Sequence, residues 1–145
     1  MNVVVDASVI VKWILPASRR EEDLLQALIL LEDVRLGRVV PCQPPHWLAE
    51  VTAVLARLDA ENVEAALDLL TDMGFPVIES RVIFKRASRI ACELNHHLFD
   101  TLYHALALET GLTLISADEA YFLKARRLGG IMRLASWQGP PIDLD

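Results

Sequence analysis

At 145 residues, with 53% hydrophobic side chains and a mean hydropathy of +0.32, the chain predicts one folded domain over residues 1–145 with a sizeable core, not a disordered polar segment. The balance of 14 basic against 20 acidic residues, net −6, argues against a binder that grips nucleic acid through a basic surface. It does not exclude an enzyme that meets its substrate through metal ions held at a local acidic site.

The first apolar stretch, residues 3–15, is cut by Asp6 and Lys12 and falls short of the ~20 residues a bilayer span needs. No basic leader with an apolar segment and a small-residue cleavage site precedes it, so a cytoplasmic protein without membrane attachment is expected. Val3-Val4-Val5 reads as a fully buried β-branched strand of the kind found inside parallel sheets. A helix is expected over residues 21–36, with Leu24, Leu28 and Leu31 at helical spacing and Gly37 closing it. Val39-Val40 is a short second strand, and Pro44-Pro45 opens a helix carrying Trp47, Leu48, Val51, Val54, Leu55 and Leu58 on one broad face.

Residues 62–73 give another amphipathic helix ending at Gly74, and residues 75–78 a third strand. Ser80 is an N-cap for a helix to about Leu94. A helix over residues 98–110 ends at Gly111, a fourth strand covers 112–115, a helix starts at about Asp118 and stops at Gly129-Gly130, and residues 131–134 supply a last strand. This alternation predicts an α/β domain: a parallel sheet with helices on both faces, whose sites form beyond the carboxyl ends of the strands. Cys42 and Cys92, far apart and without CxxC spacing, read as buried free thiols in a reducing compartment.

Four acids stand out against this frame. Asp6 follows the first strand directly, and Asp118 holds the equivalent place after the fourth, in Ser116-Ala117-Asp118. Asp100 sits in the first turn of its helix, where the positive end of the dipole favours negative charge. Glu50 lies at the rim of an apolar helix face, beside His46, Val54 and Arg57 at 100° per residue. Each has a plain structural role open to it: a turn for Asp6, caps for Asp100 and Asp118, a surface pair with Arg57 or His46 for Glu50. Asp6, however, interrupts an apolar run, where an uncompensated charge is costly. Carboxylates brought close together need a cation to stay ionised, and an all-oxygen set suits Mg2+ or Mn2+ better than zinc.

The same residues carry a family resemblance. Val4-Val5-Asp6-Ala7-Ser8-Val9-Ile10-Val11-Lys12-Trp13 resembles the opening of a PIN-domain ribonuclease of the VapC toxin type. Pro45-His46-Trp47-Leu48-Ala49-Glu50-Val51 resembles that family's second motif, and Phe99-Asp100-Thr101-Leu102-Tyr103 its third. Leu114-Ile115-Ser116-Ala117-Asp118 resembles the fourth, and the motifs follow in the family's order. The resemblance implies a PIN-like three-layer fold with a five-stranded parallel sheet. It implies Mg2+-dependent cleavage of RNA, with Mn2+ able to substitute, by a homodimer held in check by a cognate antitoxin protein. Carried over by position, Asp6 and Asp100 would be the firmest metal ligands, and Glu50 and Asp118 would complete the catalytic site. Ser8 and Ser116 would orient carboxylates or waters. Two departures stand: Ile14-Leu15-Pro16-Ala17 where many relatives carry an acid, and Ala53 where many carry Asn three residues after the second-motif Glu.

Other signals compete. His97, Asp100 and His104 at i, i+3 and i+7 would suit zinc if they shared a helix face, against a packed role for His104. Trp13, Trp47 and Trp137 could stack on bases, against core packing for Trp47. Lys124, Arg126 and Arg127 form either a phosphate contact or a solvated helix end. A phosphoacceptor receiver domain would want an acidic neighbour beside Asp6 and a late-strand Lys, and neither is present. The remaining alternative is a PIN-fold binding module with weak or no activity.

Overall fold

The computed structural model describes residues 1–15 and 23–142. Strand β1 (Asn2–Val5) leads into helix α1 (Ala7–Ile14), then α2 (Leu24–Arg35), β2 (Val40–Pro41), α3 (Trp47–Leu58), α4 (Val63–Asp72) and α5 (Arg81–Leu94). The chain continues through α6 (Leu98–Thr110), β3 (Leu114–Ser116), α7 (Glu119–Ala125) and β4 (Ile131–Arg133). The strands form one parallel sheet in the order β2-β1-β3-β4, with Val3 opposite Pro41, Val5 opposite Ile115 and Ile115 opposite Met132. Val3, Val4 and Val5 are all fully buried. Since successive strand side chains point to opposite faces, both faces of β1 are covered. Helix α6 packs on β1 and β3, with α5 behind it, and α1 packs on α2, α3 and β3.

Among the described residues the sheet has four strands where five were expected. Residues 75–78 make one parallel bridge, Gln43 with Val77, through Gln43 N–H to the Pro76 carbonyl (2.8 Å) and Ile78 N–H to the Gln43 carbonyl (2.9 Å). Pro44 and Pro45 follow Gln43 and offer no N–H, so the ladder stops there. The Gln43 side chain, fully buried, accepts from Val5 N–H (2.9 Å) and donates to the Val5 carbonyl (2.7 Å). It thus completes the edge of β1 next to Asp6.

Helix α1 is an addition to the sequence reading, which placed no helix between the first strand and residue 21. The expected start at Glu21 lies outside the described residues, as do Pro16 and Ala17. The buried face of α2 is Ala27, Leu30 and Asp33, while Leu28 is 47% exposed, so the helix is rotated from the expected Leu24-Leu28-Leu31 face. Helices α3 to α6 follow expectation closely, with Ser80 Oγ accepting from Ile83 N–H and Gly111 ending α6 in the left-handed region at φ 69°. Both cysteines are free. Cys42 is buried, but Cys92 is exposed, because α5 buries the stripe Ile83, Ala87 and Ile90 and Cys92 lies off it. No described helix is long and apolar enough to cross a membrane.

Candidate active site

The carboxyl ends of β1 and β3 each turn directly into a helix, and each turn is capped by the acid that follows the strand. Asp6 caps α1, its Oδ2 accepting from Ser8 N–H at 3.1 Å, and Asp6 N–H donates to the Ile115 carbonyl at 3.0 Å. Asp118 caps α7, its Oδ1 accepting from Tyr121 N–H at 3.0 Å. The cap predicted for Asp118 therefore coexists with its strand-end position, Asp6 caps a helix where only a turn was expected, and the cap expected of Asp100 is not found, because the N-cap of α6 is His97. A cap uses one carboxylate oxygen and leaves the other for the cleft.

The two serines knit the turns. Ser8 Oγ accepts from Ala117 N–H (3.1 Å) and its hydroxyl also bonds Asp6, while Ser116 Oγ accepts from Asp118 N–H (3.1 Å). Each hydroxyl thereby fixes the backbone that carries a carboxylate. Asp100 stands in the first turn of α6, with Oδ2 at 2.7 Å from His96 Nε2. Glu50, on the first turn of α3, has Oε1 at 3.2 Å from His46 Nε2, and its Oε2 accepts from the Tyr103 hydroxyl at 3.2 Å. His46 Nε2 also lies 2.8 Å from the Phe99 carbonyl, so the ring bridges α3 to the start of α6.

Asp6, Glu50, Asp100 and Asp118 line one open cleft of about 370 Å³ with Ala7, Ser8, Val11, Ala53 and Val54. Among the described residues, no lysine or arginine lines it. Asp6 is only 9% exposed, and burial pushes its carboxyl up to about 7, with the Asp100 and Glu50 charges adding to the rise and the Ser8 bonds opposing it. Tyr103, fully buried beneath the cleft, has its hydroxyl raised by burial and then by Glu50 and Asp6, so it stays a proton donor. The arrangement is a concave set of hard oxygen donors with a deficit of positive charge.

The competing signals resolve. His97, Asp100 and His104 do not converge. His104 is buried, donates to the Gly129 carbonyl (2.7 Å) and accepts from the Tyr121 hydroxyl (2.9 Å), and burial lowers its pKa. Both ring nitrogens are thus occupied in a neutral packed histidine. Trp47 and Trp137 are buried, and Trp13 donates to the Ala27 carbonyl (2.9 Å) and packs edge-on to Phe75, so none is presented as a base platform. Arg127 pairs with Glu93 at 2.9 Å. The sequence reading missed His96. Its position four residues before Asp100 was visible, but helical spacing does not apply there, because Asn95 turns the chain at φ 48° ahead of α6.

The profile of the PIN domain family matches residues 3–128. Comparison with curated proteins gives no match. Among solved structures, the chain is similar to a toxin–antitoxin complex from Klebsiella pneumoniae (TM-score 0.64, 17% identity, covering 91% of this chain and 97% of that one). It is also similar to a crystal structure of a Pyrobaculum aerophilum protein (TM-score 0.63, 20% identity, covering 92% and 90%).

Proposed function

The chain belongs to the PIN domain family, whose members are generally nucleases, and on that premise we propose that it is a Mg2+-dependent endoribonuclease cleaving RNA phosphodiester bonds. In this reading Asp6, Glu50, Asp100 and Asp118 hold the metal and form the catalytic site, and Mn2+ can replace Mg2+. The observation that carries the reading is the cleft itself: four carboxylates converge with no lysine or arginine among the described residues that line it, and the most buried one is raised toward neutral pH. The donor chemistry fits, since hard divalent ions take carboxylate oxygens. A bound ion supplies Lewis acidity toward a phosphoryl oxygen. Around it, Ser8 and Ser116 fix the strand-end turns, His96 orients Asp100, and Tyr103 with His46 holds Glu50. The open cleft admits an extended strand, and a phosphodiester brings negative charge that the acids tolerate only through the cation.

We also read the chain as one cytoplasmic PIN domain, acting as the toxin of a toxin–antitoxin pair. The Klebsiella structure supports the antitoxin by likeness of fold. Leu25, Leu28, Ile29 and Leu36 expose apolar surface along α2, which suits a protein partner and a homodimer. Light scattering showing only monomer at high micromolar concentration would remove the homodimer. The central test is cleavage of RNA by purified protein in Mg2+ or Mn2+, abolished by chelator. Wild-type cleavage rates in both Asp6→Asn and Asp100→Asn would end the nuclease reading and leave a binding module.

A further inference from the structure

Among the described residues, the one group of three metal-ligating side chains whose donor atoms all lie within 4.8 Å of one another is His96, Asp100 and Asp118. It is not the four-acid set that the motifs single out. From this we propose that His96 is a nitrogen ligand, and that His96 Nε2 with the carboxylates of Asp100 and Asp118 forms a mixed nitrogen–oxygen site for a borderline divalent ion such as Mn2+ or Zn2+, on the α6–α7 side of the cleft.

The local structure fits that role. His96 has only 12% of its side chain exposed, and its ring packs on Tyr121 with centroids 4.9 Å apart, which fixes its direction. Nε2 lies 2.7 Å from Asp100 Oδ2, so the two donor atoms already face one another. An ion bound at Nε2 takes the place of any proton there, which passes to solvent, and the two donors part enough to admit it. The other nitrogen, Nδ1, faces outward toward Lys124 Nζ at 3.4 Å, in a polar cavity of about 340 Å³ lined by Asn95, His96, His97 and Lys124. That cavity leaves room for Nδ1 to carry the ring's remaining proton once the exposed Lys124 side chain turns away.

A nitrogen donor changes which ion is preferred. Mg2+ favours oxygen and dehydrates reluctantly, whereas imidazole suits transition ions. The inference rests on the proposed function only in taking Asp100 and Asp118 as ligands, and it adds to the Mg2+ reading a second class of ion that this side of the cleft prefers.

The test uses the purified full chain with Mn2+, Zn2+ and Mg2+ as separate probes. Wild-type protein with Mn2+ should show nitrogen hyperfine coupling by pulsed electron paramagnetic resonance. His96→Ala should lose that coupling and lose about tenfold more affinity for Mn2+ and Zn2+ than for Mg2+, whose binding falls only through the lost hydrogen bond to Asp100. His96→Gln keeps an N–H to hold Asp100 but is a poor transition-metal ligand, so it should behave as His96→Ala does; circular dichroism checks that both variants fold. Absence of nitrogen coupling in the wild type overturns the inference, as does wild-type Mn2+ affinity in His96→Gln, which would leave His96 orienting Asp100 through its hydrogen bond. Mg2+-dependent RNA cleavage without nitrogen coupling would sink this inference alone. Nitrogen-coupled Mn2+ without cleavage in any ion would sink the nuclease reading alone.

Discussion

Two buried aspartates at opposite places in the fold show what distinguishes a brace from a site. Asp33, on the inner face of α2, is 3% exposed and fully partnered: Arg38 donates to Oδ1 through Nε at 2.8 Å and Nη2 at 2.7 Å, and the Trp137 indole donates to Oδ2 at 3.0 Å. Asp6 is nearly as buried, yet among the described residues its partners are the backbone and hydroxyl of Ser8, and the charges that act on it are those of Asp100 and Glu50. A buried carboxylate matched by a cation holds elements together, here α2 and the segment after β4. One that lines a cleft and has no cation among the described residues is what the proposed metal site needs.

Exchanging the two residues' fates is the way to break that contrast, and the largest effect belongs to Asp6. Asp6→Asn keeps shape and the Ser8 bond but removes the charge. RNA cleavage should fall by on the order of a hundredfold or more, about 3 kcal/mol in barrier, measured as single-turnover rate at saturating Mg2+. Asp33→Ala should leave the rate per folded molecule unchanged. Its cost falls on stability instead: the Trp137 N–H loses its acceptor and Arg38, half exposed, loses its partner, so urea unfolding should report a loss of about 2 kcal/mol. A large activity loss in Asp33→Ala with stability intact would erase the distinction.

The pH dependence sharpens it further. With its folded pKa raised to about 7, Asp6 holds a proton between roughly pH 4 and 7 where the unfolded chain has released it. The folded state therefore binds more protons over that window. The Asp6 contribution is most favourable below the unfolded value of 3.8 and is lost as pH rises through about 7. Without divalent ions, Asp6→Asn should thus match wild type near pH 4 and exceed it at pH 8 by up to about 4 kcal/mol, read as a midpoint difference in urea. Mg2+ should close the gap at pH 8, because it binds the ionised form. A gap that is constant with pH would mean Asp6 is not the group that titrates.

How much of this was legible depends on which physical rule governed each place. The four acids could be read because strand ends and helix starts are set by local signals, and the serine and glycine punctuation marked them. Helix α1 could not be read, because Val9, Ile10 and Val11 extend an apolar β-branched run that periodicity alone cannot divide. The fifth strand failed at Pro44-Pro45, a signal present in the sequence but read only as a helix start. The turn of α2 toward Ala27 and Asp33 depends on Arg38 and Trp137, the latter 104 residues away, which no local pattern reports. His96 was hidden for a similar reason, since the left-handed turn at Asn95 sets its approach to Asp100.

Glu50 falls between the two aspartates and carries the smallest of these effects. It has 25% of its side chain exposed, with a neutral donor in Tyr103 and a histidine at 3.2 Å, so it is neither fully matched nor left bare. Tyr103→Phe removes the hydroxyl while the ring keeps its packing at 4.9 Å against His46. Water from the cleft can replace the lost donor at Glu50, so the stability cost should be about 1 kcal/mol or less. If the tyrosine serves mainly to aim Glu50, the variant should bind Mg2+ more weakly, by about tenfold as for other groups that orient ligands, and raising the Mg2+ concentration should restore the rate. A rate loss that Mg2+ cannot rescue would instead make the hydroxyl itself part of the chemistry, and would move Tyr103 from the supporting structure into the site.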